Sequence, residues 1–173
     1  MSLVVEELST GVLVDLVAPR NELDYFDTRS VVLDRKVTAA EAFGTIATRP
    51  NVLFDLAFKI RDGISSLFGV QKIGGFSKKV PSEPLRVGDA WDFFVIENVS
   101  DEILSLSARD VHLDVLTCVS VKGREVTITS SVVVHNAFGR LYMVPVGIAH
   151  KVIVSNGLAY LRKKIALGDT SQP

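Results

Sequence analysis

Two groups of residues have types and spacings that could do chemistry. The first is His112, His135 and Asp114, with Asp110 nearby in sequence. Two imidazoles and a carboxylate on one face can hold a divalent metal with open positions, or supply a general base near neutral pH. The plainer alternative is a surface histidine pair that fixes strand ends by hydrogen bonds, and it carries more weight because clustered titratable groups are often structural. No metal is therefore expected. The second group is Tyr142, Asn156 and Tyr160, joined by Trp91 as candidate ligand-binding residues. A few converging polar groups in apolar surroundings make a small-molecule pocket. A filled core accommodates the same side chains when each finds an ordinary partner. Cys118 has no obvious base beside it, so it is not read as a nucleophile. No Ser-His-Asp motif or phosphate loop is present. Gly74-Gly75 lacks the full glycine pattern, and Lys78-Lys79 reads as a solvated charge pair.

The elements that must position these residues follow from periodicity. Residues 24–33 end in β-branched side chains and read as a strand. Thr38 offers an N-cap, and Glu41 three residues on makes a capping box with it, for a short helix ending near Thr48. Pro50 suits the first turn of a second helix, in which Leu53, Leu56, Ile60, Ile64 and Leu67 recur at helical spacing before Gly69. Pro81, Pro84 and Gly88 punctuate a loop. Strands are then expected over Trp91–Val99, Ile103–Ala108, Val111–Val121 and Glu125–His135.

The last two strands form a hairpin that its turn registers. With Gly123-Arg124 as a two-residue loop, Lys122 faces Glu125 and the pairing runs up to His112 opposite His135. One face of the hairpin is then almost wholly β-branched. The other carries Ser120, Cys118, Thr127, Thr129, Ser131, Asp114 and the two histidines, and is expected away from the core. A long helix follows, from about Asn136 to Leu167. Asn136 is its expected cap. The face expected inward holds Phe138, Leu141, Tyr142, Ile148, Ala149, Val152, Asn156, Ala159, Tyr160 and Ala166. Pro145 should kink the helix or mark its real start.

Composition limits the function classes. The chain has 173 residues, 47% of them hydrophobic, with 19 basic and 20 acidic side chains. That is one domain, taken as residues 1–167 with a tail at 168–173. The even charge leaves no footprint for nucleic acid. One cysteine excludes an intrachain disulfide framework, and no cofactor motif is present. The mean hydropathy of +0.31 is high for a chain of ordinary charge. It calls for a cavity, a dimer contact or a membrane surface. The first ten residues do not read as a secretory leader. The apolar stretch Leu141 to Leu161 is interrupted by Pro145, His150, Lys151 and Asn156. The expectation is a cytoplasmic protein without an integral membrane segment.

Several stretches resemble a known family. Asp24-Tyr25-Phe26-Asp27 is similar to its "DYaD" stretch, and Pro50 to Gly69 to its "P…L…lRd…fGl" helix. Asp110-Val111-His112-Leu113-Asp114 resembles "DrHLDf", and His135-Asn136-Ala137-Phe138-Gly139-Arg140-Leu141-Tyr142 resembles "hN.lGrlYl". Pro145 and His150 echo a looser "PfH" element. This is the uncharacterised bacterial domain-of-unknown-function family 2867, itself similar to the START and birch-pollen-allergen-like (SRPBCC) superfamily. The resemblance covers roughly residues 24 to 165 and implies no established reaction. It marks Asp110, His112, Asp114, His135, Asn136 and Arg140 as motif candidates. Read from charge alone, Arg140 suits an anionic ligand group or, as the plainer expectation, a salt bridge to Asp110 or Asp114.

The element order and the resemblance lead to an α+β helix-grip fold. A curved antiparallel sheet wraps a long C-terminal helix, with two short helices after the first strand. The expected function is binding of a small hydrophobic molecule or lipid between sheet and helix. The alternatives are a lyase, cyclase or hydrolase acting on a nonpolar substrate, or a homodimeric module with no small ligand.

Overall fold

The hairpin registered from its turn lies at the middle of the sheet. A computed structural model describes residues 3–49 and 84–169. Strands β7 (Leu113–Lys122) and β8 (Glu125–Val134) pair from Lys122 with Glu125 up to Leu113 with Val134, in the expected register. The His135 amide donates to the His112 carbonyl, extending the pairing one step. Gly123 has φ +64°, which a II′ turn requires at its first central position.

Four more strands complete an antiparallel sheet in the order β3-β8-β7-β6-β5-β4. They are β3 (Tyr25–Val32), β4 (Ala90–Trp91), β5 (Phe94–Val99) and β6 (Ile103–Arg109). The single strand expected over Trp91–Val99 is two. Asp92 and Phe93 form a two-residue turn between them, and Asp92 takes φ +57°, a left-handed conformation that Asp tolerates. Aromatic and β-branched content gave no sign of this break.

Helix α1 (Ala39–Ala47) begins where Thr38 Oγ1 accepts the Glu41 amide and ends at Thr48, as expected. The Glu41 carboxylate does not close the capping box; it pairs with Arg35. The helix read from Pro50 to Gly69 lies outside the described residues, as do Gly74-Gly75, Lys78-Lys79 and Pro81.

Helix α2 (Ala137–Asp169) continues through Pro145, so the proline neither starts nor ends it. Asn136 caps it: its Oδ1 accepts the Gly139 amide. Together α1 and α2 cover the β-branched face of the sheet. Val119, Val121, Val126 and Ile128 pack there against Ile46, Val154, Leu158, Leu161 and Ile165.

This corrects the inward face of α2. Leu141, Ile148 and Val152 are exposed, as are Asn156 and Ala159. Gly147, Ile153, Val154, Gly157, Leu158, Leu161 and Ile165 are buried. The helix is apolar on two opposite sides, so periodicity alone cannot choose between them. Small residues decide the matter. A Cβ on Gly157 would stand 2.9 Å from Ile46 Cγ2, and one on Gly147 would stand 3.1 Å from the Tyr25 ring. By length and composition α2 could cross a membrane, yet its inner face is committed to the sheet and α1.

The polar face of the hairpin is not open. Strands β1 (Val4–Glu7) and β2 (Leu13–Leu16), which the sequence reading missed, form a second small sheet across it. Side chains of the large sheet satisfy the backbone of this layer. Ser131 Oγ accepts the Val17 amide, the Cys118 thiol accepts the Asp15 amide, and Ser120 donates to the Leu13 carbonyl. The hydroxyls that looked solvent-directed are therefore hydrogen-bonding partners inside a second core. Buried Asp15 accepts from Ser105 and Asn98, which ties β2 to β5 and β6. Among the described residues the architecture is thus three-layered: small sheet, large sheet, helices.

Candidate functional site

Alternation along β3 places Tyr25, Asp27 and Arg29 on the face that meets α2. Antiparallel pairing sets Ser130 of β8 opposite Asp27, and Thr117 of β7 opposite Ser130. Helix α2 supplies Gly147, His150 and Ser155 from above. These polar groups form one connected cluster within an otherwise apolar interface.

Its hydrogen bonds follow from counting protons. Tyr25 donates its one hydroxyl proton to the Gly147 carbonyl, at 3.3 Å. His150 Nδ1 lies 3.5 Å from the same hydroxyl, and Nε2 lies 3.1 Å from Ser130 Oγ. With the tyrosine proton committed, Nδ1 carries the imidazole proton and Nε2 accepts from Ser130. Thr117 Oγ1 stands 3.5 Å from Ser130 on the other side. Arg29 donates to both Asp27 oxygens, at 2.8 and 3.3 Å, and to Ser155 Oγ at 2.8 Å.

The electrostatics favour neutral groups beside the ion pair. Burial pushes the His150 imidazole below its ordinary pKa, and the Arg29 charge adds to that against the opposing pull of Asp27. His150 is therefore neutral at pH 7. Burial, reinforced by Asp27, pushes the Tyr25 hydroxyl up to about 12, so it remains a donor. The bond to Asp27 raises Arg29 further, keeping the guanidinium charged. Tyr25 also meets the His150 ring edge-on, with centroids 6.0 Å apart. The arrangement offers a hydroxyl, a neutral imidazole and a tyrosine side by side, with an internally compensated ion pair next to them.

The residues singled out from sequence fall elsewhere. His135 is exposed and lies 3.3 Å from Asp114. His112 turns away from both: its Nδ1 accepts from Asn136 Nδ2 at 2.9 Å, and its ring packs on Phe138. Asn136 Nδ2 also donates to the Val111 carbonyl, so its whole amide is used in joining β7 to α2. Asp110 caps the β6–β7 turn by accepting the His112 and Leu113 amides. Arg140 is exposed and forms no ion pair with Asp110 or Asp114, which are engaged as just described. Among the described residues no three His, Cys, Asp or Glu side chains gather as a metal site would need. This constellation organises the junction of strand and helix.

Trp91 is fully buried and meets Phe43 edge-on in the main core. Tyr142 stacks on Phe138, the Tyr160 ring lies beneath the Arg49 guanidinium, and Asn156 is exposed on the outer side of α2. The four do not converge. Tyr142, Asn156 and Tyr160 were grouped by a wheel centred on the wrong side of the helix. Cys118 is buried in the small-sheet core, where burial raises its thiol pKa.

Sequence reasoning missed the Tyr25–His150 cluster, although signals were present. Tyr25 and Asp27 belong to the "DYaD" stretch and His150 to the "PfH" echo. Tyr25, Asp27 and Arg29 also recur at the strand period, two residues apart.

Comparison with known proteins bears out the family, and the family alone. No curated protein and no solved structure matches the chain. A family model does match over residues 20–156, a span that contains every member of the polar cluster. The chain belongs to that family, described as protein of unknown function (DUF2867).

Proposed function

We propose that this protein binds a small, mainly apolar molecule between its sheet and its C-terminal helix. In this reading the plan is a helix-grip related to the START and birch-pollen-allergen-like proteins. The observation that carries the reading is the Tyr25–Ser130–His150 cluster, polar and uncharged, set between apolar layers. Few converging polar groups in apolar surroundings are the usual make-up of such sites. Asp27 neutralises Arg29, so the cluster suits a hydroxyl or carbonyl group better than a carboxylate.

Displacement of a fluorescent naphthalene sulfonate dye tests this. Decanol displaces the dye at lower concentration than decanoate does. Ser130→Ala or Tyr25→Phe weakens decanol about three- to tenfold, the worth of one neutral hydrogen bond. Equal competition by the two probes, with no effect of either substitution, overturns the reading.

One observation favours a second reading, ester hydrolysis. Nε2 of neutral His150 accepts from Ser130 Oγ at 3.1 Å. As Oγ attacks an ester carbonyl, Nε2 takes its proton and returns it to the departing alcohol; water then releases the acid by the same relay. The group behind Nδ1 is a tyrosine hydroxyl rather than a carboxylate, so the imidazolium would be less well stabilised. Turnover of a medium-chain nitrophenyl ester that Ser130→Ala abolishes would favour hydrolysis over simple binding.

A further inference from the structure

Among the described residues, nothing covers an apolar stripe on helix α2. Leu141, Val144, Ile148 and Val152 are 71%, 65%, 68% and 46% exposed. Their spacing of three, four and four residues puts them on one side of the helix, over about 16 Å. Isolated exposed aliphatics are ordinary, but a continuous stripe marks a contact surface.

Charge identifies the contact. From Ala137 to Gly168 the helix has no acidic residue, whereas Arg140, Lys151, Arg162, Lys163 and Lys164 are basic and exposed. Arg140 and Lys151 line one edge of the stripe, and Arg162 and Lys163 continue its side toward the C-terminus, while Lys164 lies round the helix from it. A second copy would set these cations against each other, since the face carries no carboxylate to answer them. A protein partner is the weaker fit, because the stripe is wholly aliphatic and convex, without the aromatic anchors on which protein interfaces concentrate their energy. An aliphatic stripe bordered by cations is the pattern of a helix lying in the surface of an anionic bilayer.

We propose that the outer face of α2 rests on anionic lipid, with Leu141, Val144, Ile148 and Val152 entering the acyl boundary and the basic residues meeting headgroups. The proposal does not depend on the ligand reading, because it uses the opposite side of the helix.

Co-sedimentation with vesicles tests it, using phosphatidylcholine alone and with phosphatidylglycerol. The wild-type chain binds the anionic vesicles and is released by salt. Lys151→Glu weakens binding by at least the roughly fivefold expected for one lost cation. Ile148→Asp with Val152→Asp abolishes it while far-ultraviolet dichroism stays unchanged, both side chains being exposed. Equal binding to neutral and anionic vesicles, no binding to either, or retention by the double variant overturns the proposal. So does a dimer in light scattering that the double variant dissociates, since the stripe's occupant is then a second copy.

Discussion

Alanine at Leu161 and at Ile148 probes the two sides of α2 with nearly the same chemical change. Leu161 is fully buried among α1 and the sheet. Truncating such a leucine costs about 2–5 kcal/mol, the lost transfer energy plus the cavity left behind. Ile148 is 68% exposed, so about a third of its side chain is covered. Burying a whole aliphatic side chain is worth about 1.5–3 kcal/mol, which puts the loss at roughly 0.5–1 kcal/mol. Alanine's better helix propensity returns about 0.4 kcal/mol. The net change at Ile148 is within about 0.5 kcal/mol. Urea unfolding followed by the fluorescence of buried Trp91 reads both variants. With a slope near 2 kcal/mol per molar, Leu161→Ala lowers the midpoint by about 1–2.5 M and Ile148→Ala by less than about 0.3 M. If Ile148→Ala falls as far as Leu161→Ala, the helix packs by the other side and the assignment of its faces is wrong.

Three further outcomes follow from the same packing. Gly139→Ala puts a Cβ 2.5 Å from the His112 carbonyl oxygen and 2.7 Å from Val134, and a backbone carbonyl held by the His135 amide cannot yield as a side chain can. It costs about 1–3 kcal/mol in thermal or urea unfolding, whereas Gly157→Ala is partly rescued by Ile46→Ala in a double-mutant cycle. Because burial depresses the folded pKa of His150, the unfolded chain binds the proton more readily. Its contribution to stability is therefore complete above pH 6.5 and is lost as pH falls from there toward the folded pKa; His150→Gln flattens that part of the melting-temperature profile. Cys118 resists an aromatic disulfide reagent in the native protein and reacts at the rate of global unfolding.

What was legible in the sequence was local. Gly123 fixed a hairpin register that holds at every pair, and Thr38 and Asn136 announced the helix starts because capping depends on a few adjacent atoms. The choice between the two apolar sides of α2 was not legible, since it rests on where Gly147 and Gly157 let Tyr25 and Ile46 approach. Nor was the covering of the polar sheet face. Thr127, Thr129 and Ser131 read as solvent-directed until a second sheet is laid over them. The histidines beside each other in register, His112 and His135, turned to different partners. His150 stands in a motif echo of loose spacing, and it is the imidazole that reaches the sheet.

Nitrogen–proton correlation spectra of the imidazoles test the central claim most directly, because the chain has only three histidines. The account predicts that His150 is a neutral Nδ1–H tautomer at pH 7, and that saturating decanol shifts its Nε2 while His112 and His135 stay in place. A His150 signal unmoved at saturation, or a response confined to His112 or His135, contradicts a binding site between β3, β8 and α2.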